Sequence, residues 1–360
     1  MQEIIYVHLG KRIPFSMKES VINTKKHFKN TKVTILTDNP NRFNIKEVQI
    51  VDVKENTLGE NHRNFTNITK QNIKFRDGFW MKASQRLFVL EDYLTANQLD
   101  NIMHLENDCL ISFSEKENNI FGFIPEEILI PRESLKRAVL PLMIIKSRKT
   151  YVECMSEFNR LLQNSPEMDE MEIFAKILDS NKYISNLPAI FSRDYLVNSV
   201  DKELESLSNN FQTTQGLFDP SIYGQYLFGQ DPTNNRYLRR AGYRNPNTNI
   251  ATEKIRWSLH DDGEYLKISV SSDGVTYFKL KNLHAHGKYL VPLVSENYKS
   301  YLKLIKKLND NQFETKFAKE LFMHNLIRDP KIIFEFTYQW ISFLKRMITT
   351  NFLPRSKPKL

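Results

Sequence analysis

Apolar residues along this chain fall into short β-branched runs, separated by longer segments in which they recur every three or four positions. Residues 3–9 (EIIYVHL) form a β-branched and aromatic run that stops at Gly10, as a buried strand does. Helical spacing follows over 16–28, where Ser16 stands at a capping position and Glu19 three residues on completes a capping box. Residues 32–37 (KVTILT) predict a second strand, halted by Asp38-Asn39-Pro40, and 48–53 a third. Strand, helix, strand, strand at this spacing predicts an α/β sheet that begins with parallel pairing.

Residues 54–77 are polar and rich in Asn, Lys and Thr, and are expected to form a long surface loop. Helical periodicity returns over 79–93, then a strand over 101–105, the triplet Glu106-Asn107-Asp108, and another strand over 109–113. Further strands are expected at 127–130 and 139–145, and helices at 147–162 and 170–178. Residues 207–244 read as loop-rich but dense in Tyr and Phe, unlike a linker. Three short runs at 254–258, 266–270 and 275–279 predict a small antiparallel group, with Asp261-Asp262-Gly263 and Asp273-Gly274 as turns. After Pro292 the pattern becomes wholly helical, at about 296–308, 313–327 and 330–350. The chain therefore divides into a sheet-bearing region, 1–291, and a helical appendage, 292–360.

Composition adds bounds. With 360 residues, 24 Phe and 15 Tyr, the chain has ample material for a packed core. Two cysteines, Cys109 and Cys154, imply no disulfide framework and fit a reducing cytoplasm. The first residues lack a basic-then-apolar leader, so no secretory signal is expected, and no apolar run reaches the ~20 residues of a membrane span. The formal net charge of +9 points to anionic partners. Much of the excess lies beyond Lys299 and in the tail Arg355-Ser356-Lys357-Pro358-Lys359. Packing on the rest of the protein is the default expectation for the final helix; a peripheral position at the inner membrane face is the second.

The chemistry concentrates at a few places. Glu106 and Asp108 lie at a strand end, where open α/β sheets place ligands, and two acids two positions apart can share one divalent cation with a diphosphate. Mn²⁺ or Mg²⁺ suits such oxygen ligands. Arg86, on the helix before that strand, can pair bidentately with phosphate or carboxylate. In FDPSIYGQYLFGQDP, the catalytic candidates Asp219 and Gln225 stand among aromatics, a combination suited to sugar recognition. Asp219 has three open roles there (general base, nucleophile or hydroxyl binder) and a competing structural one, capping the helix that starts at Ser221. His284 and His286 in NLHAHGK alternate so as to share a face. Gly287 allows close backbone approach to a diphosphate, and Lys288 offers it a positive charge.

Three blocks together, residues 79–110 with Arg86 and NIMHLENDCL, 215–232, and NLHAHGKYL at 282–290, resemble nucleotide-sugar glycosyltransferases of the GT-A type. The last two are similar to motifs of bacterial cell-surface polysaccharide and lipopolysaccharide glycosyltransferases. The departure is Glu106 where that family carries the first Asp, which shifts the metal-binding weight to Asp108. The resemblance implies a Rossmann-like mixed sheet flanked by helices, and a hexosyltransferase that takes a nucleoside diphosphate sugar, UDP-sugar favoured, to a saccharide or lipid-linked acceptor. It further implies that Asp38, with His8 and Gly10, borders the nucleoside. One of the two histidines completes the metal site, His286 first, and the histidine block leans toward retention of configuration. Two other classes remain. A sugar nucleotidyltransferase would carry a Gly-rich basic loop near the start, where GKRIPFS has one Gly. A basic nucleic-acid-binding protein would account for the charge, but no zinc-finger or RNA-binding aromatic motif is present and no nucleic-acid partner is expected.

Overall fold

The computed structural model describes residues 1–285, apart from 11–12, 44, 56–57, 71–77, 199, 229–242 and 262–265. The helices expected after Pro292, the basic tail and the division at residue 291 lie outside the described residues.

The early alternation gives what its period predicts. Strand β1 (Glu3–His8) is buried on both faces and pairs in parallel with β2 (Lys32–Thr37), which pairs in parallel with β3 (Gln49–Asp52). On its other side β1 pairs in parallel with β4 (Ile102–Leu105). Strand β7 (Leu142–Ile145) runs antiparallel to β4 and to β6 (Ile128–Pro131), and β6 is parallel to β8 (Ile184–Leu187). The resulting order is β3-β2-β1-β4-β7-β6-β8, a mixed, Rossmann-like sheet. The chain leaves β1 toward β2 and β3, then returns to the opposite side at β4. The carboxyl ends of β1 and β4 therefore flank the switch point, the crevice where such sheets bind ligands.

Helices cover both faces. Ile4, Tyr6, Val33 and Ile35 point into a core with Met17 and Val21 of α1 (Phe15–His27). Ile5, Val7 and Leu36 point the other way. There they meet α3 (Phe79–Ala96), α4 (Arg148–Asn164) and α5 (Glu170–Ser180). A third core lies under the antiparallel sheet of β9 (Arg256–Asp261), β10 (Leu266–Ser271) and β11 (Phe278–Lys279), in the order β11-β10-β9. Trp257 stacks on Tyr226 at its centre.

Three expectations are corrected. Ser16 does not cap α1; it is buried within the helix, because Ser16, Ser20 and Thr24 form an inward polar stripe, of which Ser20 and Thr24 meet the Tyr6 hydroxyl. Residues 54–77 are not all loop. They contain helix α2 (Glu60–Ile68), held by a buried His62–Asp92 contact of 2.7 Å and by Phe65 stacked on Phe88. Polar composition hid it, since only His62 and Phe65 of α2 are buried. The loop-rich region likewise includes α7 (Phe211–Thr214) and α8 (Ile222–Phe228), after α6 (Asp201–Ser208).

Among the described residues no helix is long and apolar enough to cross a membrane.

Candidate metal centre

The acidic triplet is a tight turn between β4 and β5 (Cys109–Ile111). The Glu106 N–H donates to Pro141 O at 2.9 Å, and the Cys109 N–H to Glu106 O at 3.2 Å. Strand β5 leaves the main sheet and pairs antiparallel with β12 (Asn282–His284), which sets His284 opposite Cys109. The ladder continues past it, the Ala285 N–H donating to Asp108 O at 2.9 Å. On its other edge, β5 is gripped by α1: the Ser20 hydroxyl donates to Cys109 O, and the Ile111 N–H donates to Asn23 Oδ1 at 2.9 Å.

This framework brings Glu106, Asp108 and His284 together, with one ligand atom from each lying within 4.8 Å of the others. His284 Nε2 is 3.0 Å from Glu106 Oε2 and 3.2 Å from Asp108 Oδ1. Burial alone would lower the His284 pKa, but the carboxylates of Asp108 and Glu106 override it and hold the ring protonated well above the ordinary range. Burial would raise the Glu106 pKa, yet Arg86 and His284 hold it well below the ordinary carboxylate range. A proton thus sits where three ligand atoms converge. Two carboxylate oxygens and one imidazole nitrogen form a donor set that fits Mn²⁺ or Mg²⁺, the nitrogen favouring the former.

A measurable consequence follows from the linkage. A cation takes His284 only as the neutral ring, so binding at neutral pH releases about one proton. Affinity is then expected to rise roughly tenfold per pH unit until the raised pKa is reached. Calorimetric titration with Mn²⁺ in buffers of different ionisation enthalpy reads the proton count directly; a count of zero would contradict the protonated resting state.

His286, the histidine first expected at the metal, lies outside the described residues, as does Lys288; the described histidine at the site is His284. Asp219 also departs from its catalytic reading. Fully buried, its Oδ1 accepts from the N–H groups of Ser221 at 2.8 Å and Tyr223 at 2.9 Å. Its Oδ2 accepts from those of Gly224 at 2.8 Å and His284 at 2.9 Å. Burial pushes its pKa up, against those donors. With four donors on two oxygens, the group caps α8 and fixes the backbone of His284; it is a positioning residue. Asn282 clasps the same turn, accepting from Asp219 N–H at 2.9 Å and donating to its carbonyl at 3.0 Å. Gln225, the other expected catalytic residue, donates from Nε2 to Ser221 Oγ at 3.2 Å. Its Oε1 is buried without a hydrogen-bond partner among the described residues.

Across the switch point lie the residues expected to border a nucleoside. The Gly10 N–H donates to Asp38 Oδ1 at 2.8 Å, and Asn39 Nδ2 donates to Gly10 O at 3.1 Å. Gly10 adopts φ of +127°, a conformation that disfavours any side chain. His8 is buried at the end of β1, edge-on to Phe43. Lys82 and Arg86, one turn apart on α3, share a face. Lys82 Nζ lies 3.6 Å from where a Cβ on Gly10 would stand, and Arg86 Nη2 donates to Glu106 Oε1.

Two carboxyls were missed from the sequence. Glu133 follows β6, is 3% exposed and has its pKa pushed to about 7 by burial, with Arg137 opposing. Glu170 opens α5, is 4% exposed and is likewise pushed to about 7 by burial, with Arg86 opposing. The Ala138 N–H donates to Met171 O at 2.9 Å, tying the start of α5 to the segment whose Pro141 holds Glu106. Glu133 had no readable signal in IPRES, and Glu170 stood only as the first residue of the helix expected over 170–178.

No protein-family model matches the sequence, and no curated protein does. The structure is similar in part to several solved ones. With PaToxG glycosyltransferase it shares 14% identity and a TM-score of 0.37, over 51% of this chain and 69% of that one. With galactosyltransferase LgtC in complex with donor and acceptor sugar analogs the values are 8% and 0.36, over 52% and 73%. With mouse xyloside xylosyltransferase 1 they are 9% and 0.37, over 59% and 92%.

Proposed function

We propose that this chain is a metal-dependent glycosyltransferase of the GT-A type, moving a sugar from a nucleoside diphosphate donor to a saccharide or glycolipid acceptor. The observation that carries the reading is the convergence of Glu106, Asp108 and His284 beside Arg86, at the carboxyl end of β4 and next to the β1/β4 switch point. A buried site with two acids, one imidazole and adjacent cations suits a cation bound together with a diphosphate.

Each residue then has a task. Asp38, Gly10 and His8 border the nucleoside, with a UDP-sugar the favoured donor. Lys82 and Arg86 present positive charge toward the phosphates, which matters most as the bond to the sugar breaks. Mn²⁺ or Mg²⁺ would supply a Lewis acid that offsets the charge growing on the departing diphosphate. Gln225, through its buried Oε1, and the carboxyls of Glu133 and Glu170 supply polar groups for the sugar. At neutral pH, carboxyls with pKa near 7 can either give or hold a proton. Asp219 keeps His284 in register and stays out of the chemistry. The acceptor is a growing cell-surface glycan, and the protein works in the cytoplasm.

Thermal stabilisation by a panel of nucleotide sugars, with and without Mn²⁺, tests this reading. A donor binding only the folded protein at a hundred times its Kd adds about 2.7 kcal/mol of stability. The expected result is stabilisation by UDP-sugars that disappears on chelation. Equal stabilisation with and without the cation would remove the metal from the proposal, and stabilisation by oligonucleotide alone would overturn it.

A further inference from the structure

Asp108 directly precedes β5, which among the described residues has a strand neighbour on one edge only, β12. Backbone groups alternate along a strand. Those of Asp108 and Ser112 therefore face β12, where they meet Ala285 N–H and Lys281 O, and those of Cys109 and Ile111 face the other way. On that second edge α1 stands in for the missing strand. Ser20 and Asn23, three residues apart on one helical face, deal with both groups. The Ser20 hydroxyl donates to Cys109 O, and Asn23 Oδ1 accepts from Ile111 N–H at 2.9 Å.

Ser20 is in turn held from behind. Its Oγ lies 3.0 Å from the Tyr6 hydroxyl, which lies 2.7 Å from Thr24 Oγ1. Each hydroxyl has one hydrogen to give, and a carbonyl can only accept. Ser20 spends its hydrogen on Cys109 O, so Tyr6 must donate to Ser20, and Thr24 must donate to Tyr6. Burial pushes the Tyr6 pKa up, so the phenol keeps that proton. The relay thus has one direction, Thr24 to Tyr6 to Ser20 to Cys109 O, and all four residues are fully buried. It starts on α1, passes through the strand that leads to His8 and Gly10, and ends on the peptide next to Asp108. We infer that Ser20 is a positioning residue for the metal centre: through the Cys109 carbonyl it keeps the Asp108 carboxylate in line with Glu106 and His284. This inference rests on the metal reading of the site.

Calorimetric Mn²⁺ titration of the full chain, run beside chemical denaturation, tests it. Ser20→Ala should weaken Mn²⁺ binding roughly five- to tenfold, the size of one lost hydrogen bond. Tyr6→Phe frees the Ser20 hydroxyl to turn to the helix carbonyl four residues back, and should weaken binding less, in the same direction. Thr24→Val keeps the side-chain shape at the far end of the relay, and should lose stability while Mn²⁺ affinity stays at the wild-type value. Ser16→Ala, one turn before Ser20, removes a buried hydroxyl that has no hydrogen-bond partner among the described residues, and should also leave the affinity unchanged. A Ser20→Ala protein that binds Mn²⁺ as the wild type does overturns the inference and leaves the metal site standing. Equal losses of affinity in Ser20→Ala and Thr24→Val overturn it too, because they would mark a general loosening of α1. Where Ser20→Ala does not fold, wild-type affinity in Tyr6→Phe has the same force. A wild-type protein that binds no Mn²⁺ removes the metal reading and this inference together.

Discussion

Asp108→Asn is expected to reduce sugar transfer by roughly a hundredfold or more, with little change in the folded structure. The side chain keeps its volume and one oxygen, but loses the charge that a divalent cation requires. Losing one strong electrostatic contact to developing charge typically costs 10²–10³ in rate, or about 2.7–4 kcal/mol. Asp108 is 2% exposed beside Glu106, so neutralising it also relieves a repulsion and leaves His284 with the Glu106 partner. Stability by chemical denaturation should therefore stay near wild type, while calorimetric Mn²⁺ binding collapses. A variant that keeps full transfer and full Mn²⁺ affinity would show that the cation binds elsewhere.

Asp219→Asn is expected to behave in the opposite way, losing stability first. Among the described residues, the four groups that meet this carboxylate are backbone N–H donors. An amide offers one acceptor oxygen and one NH₂ donor group, so two of the four donors would face another donor in a fully buried place. Each stranded buried donor costs about 1–3 kcal/mol. The sum, roughly 2–6 kcal/mol, is a large part of a domain's 5–15 kcal/mol. Gly224 leaves no room for relaxation, because even a Cβ there would come within 1.9 Å of His284 O. If denaturation instead showed unchanged stability with activity lost, Asp219 would be a participant in the reaction.

Much of the sheet was legible because its strands are buried on both faces and its helices carry apolar stripes. Residues 3–9, 32–37 and 101–105 announce themselves by β-branched runs, and α3 and α4 by their periodicity. Helix α2 did not, since its docking depends on His62 and Asn61 meeting Asp92 and Glu91 across about thirty residues, which no local pattern encodes. Glu106 and Asp108 were readable from their place at a strand end. That His284 would face them is set by the β5/β12 register, a non-local fact. Asp219 shows the limit most clearly. Its residue type and aromatic setting suit a sugar site, yet the number of N–H groups converging on it is visible only when β12 and α8 are side by side.

The pairing of β5 with β12 also governs when the protein becomes competent. It joins Cys109 to His284 and closes a loop of more than 160 residues, with contacts such as Asn282 to Cys109 spanning 173 positions. Closing so long a loop costs entropy before any contact rewards it, which places it among the slow events of folding. The two acids are made early on the ribosome, but their imidazole partner arrives only with residue 284. A nascent or truncated chain can therefore build most of its sheet without owning a three-ligand site. Cation capture reports that the far end of this segment has been threaded back correctly.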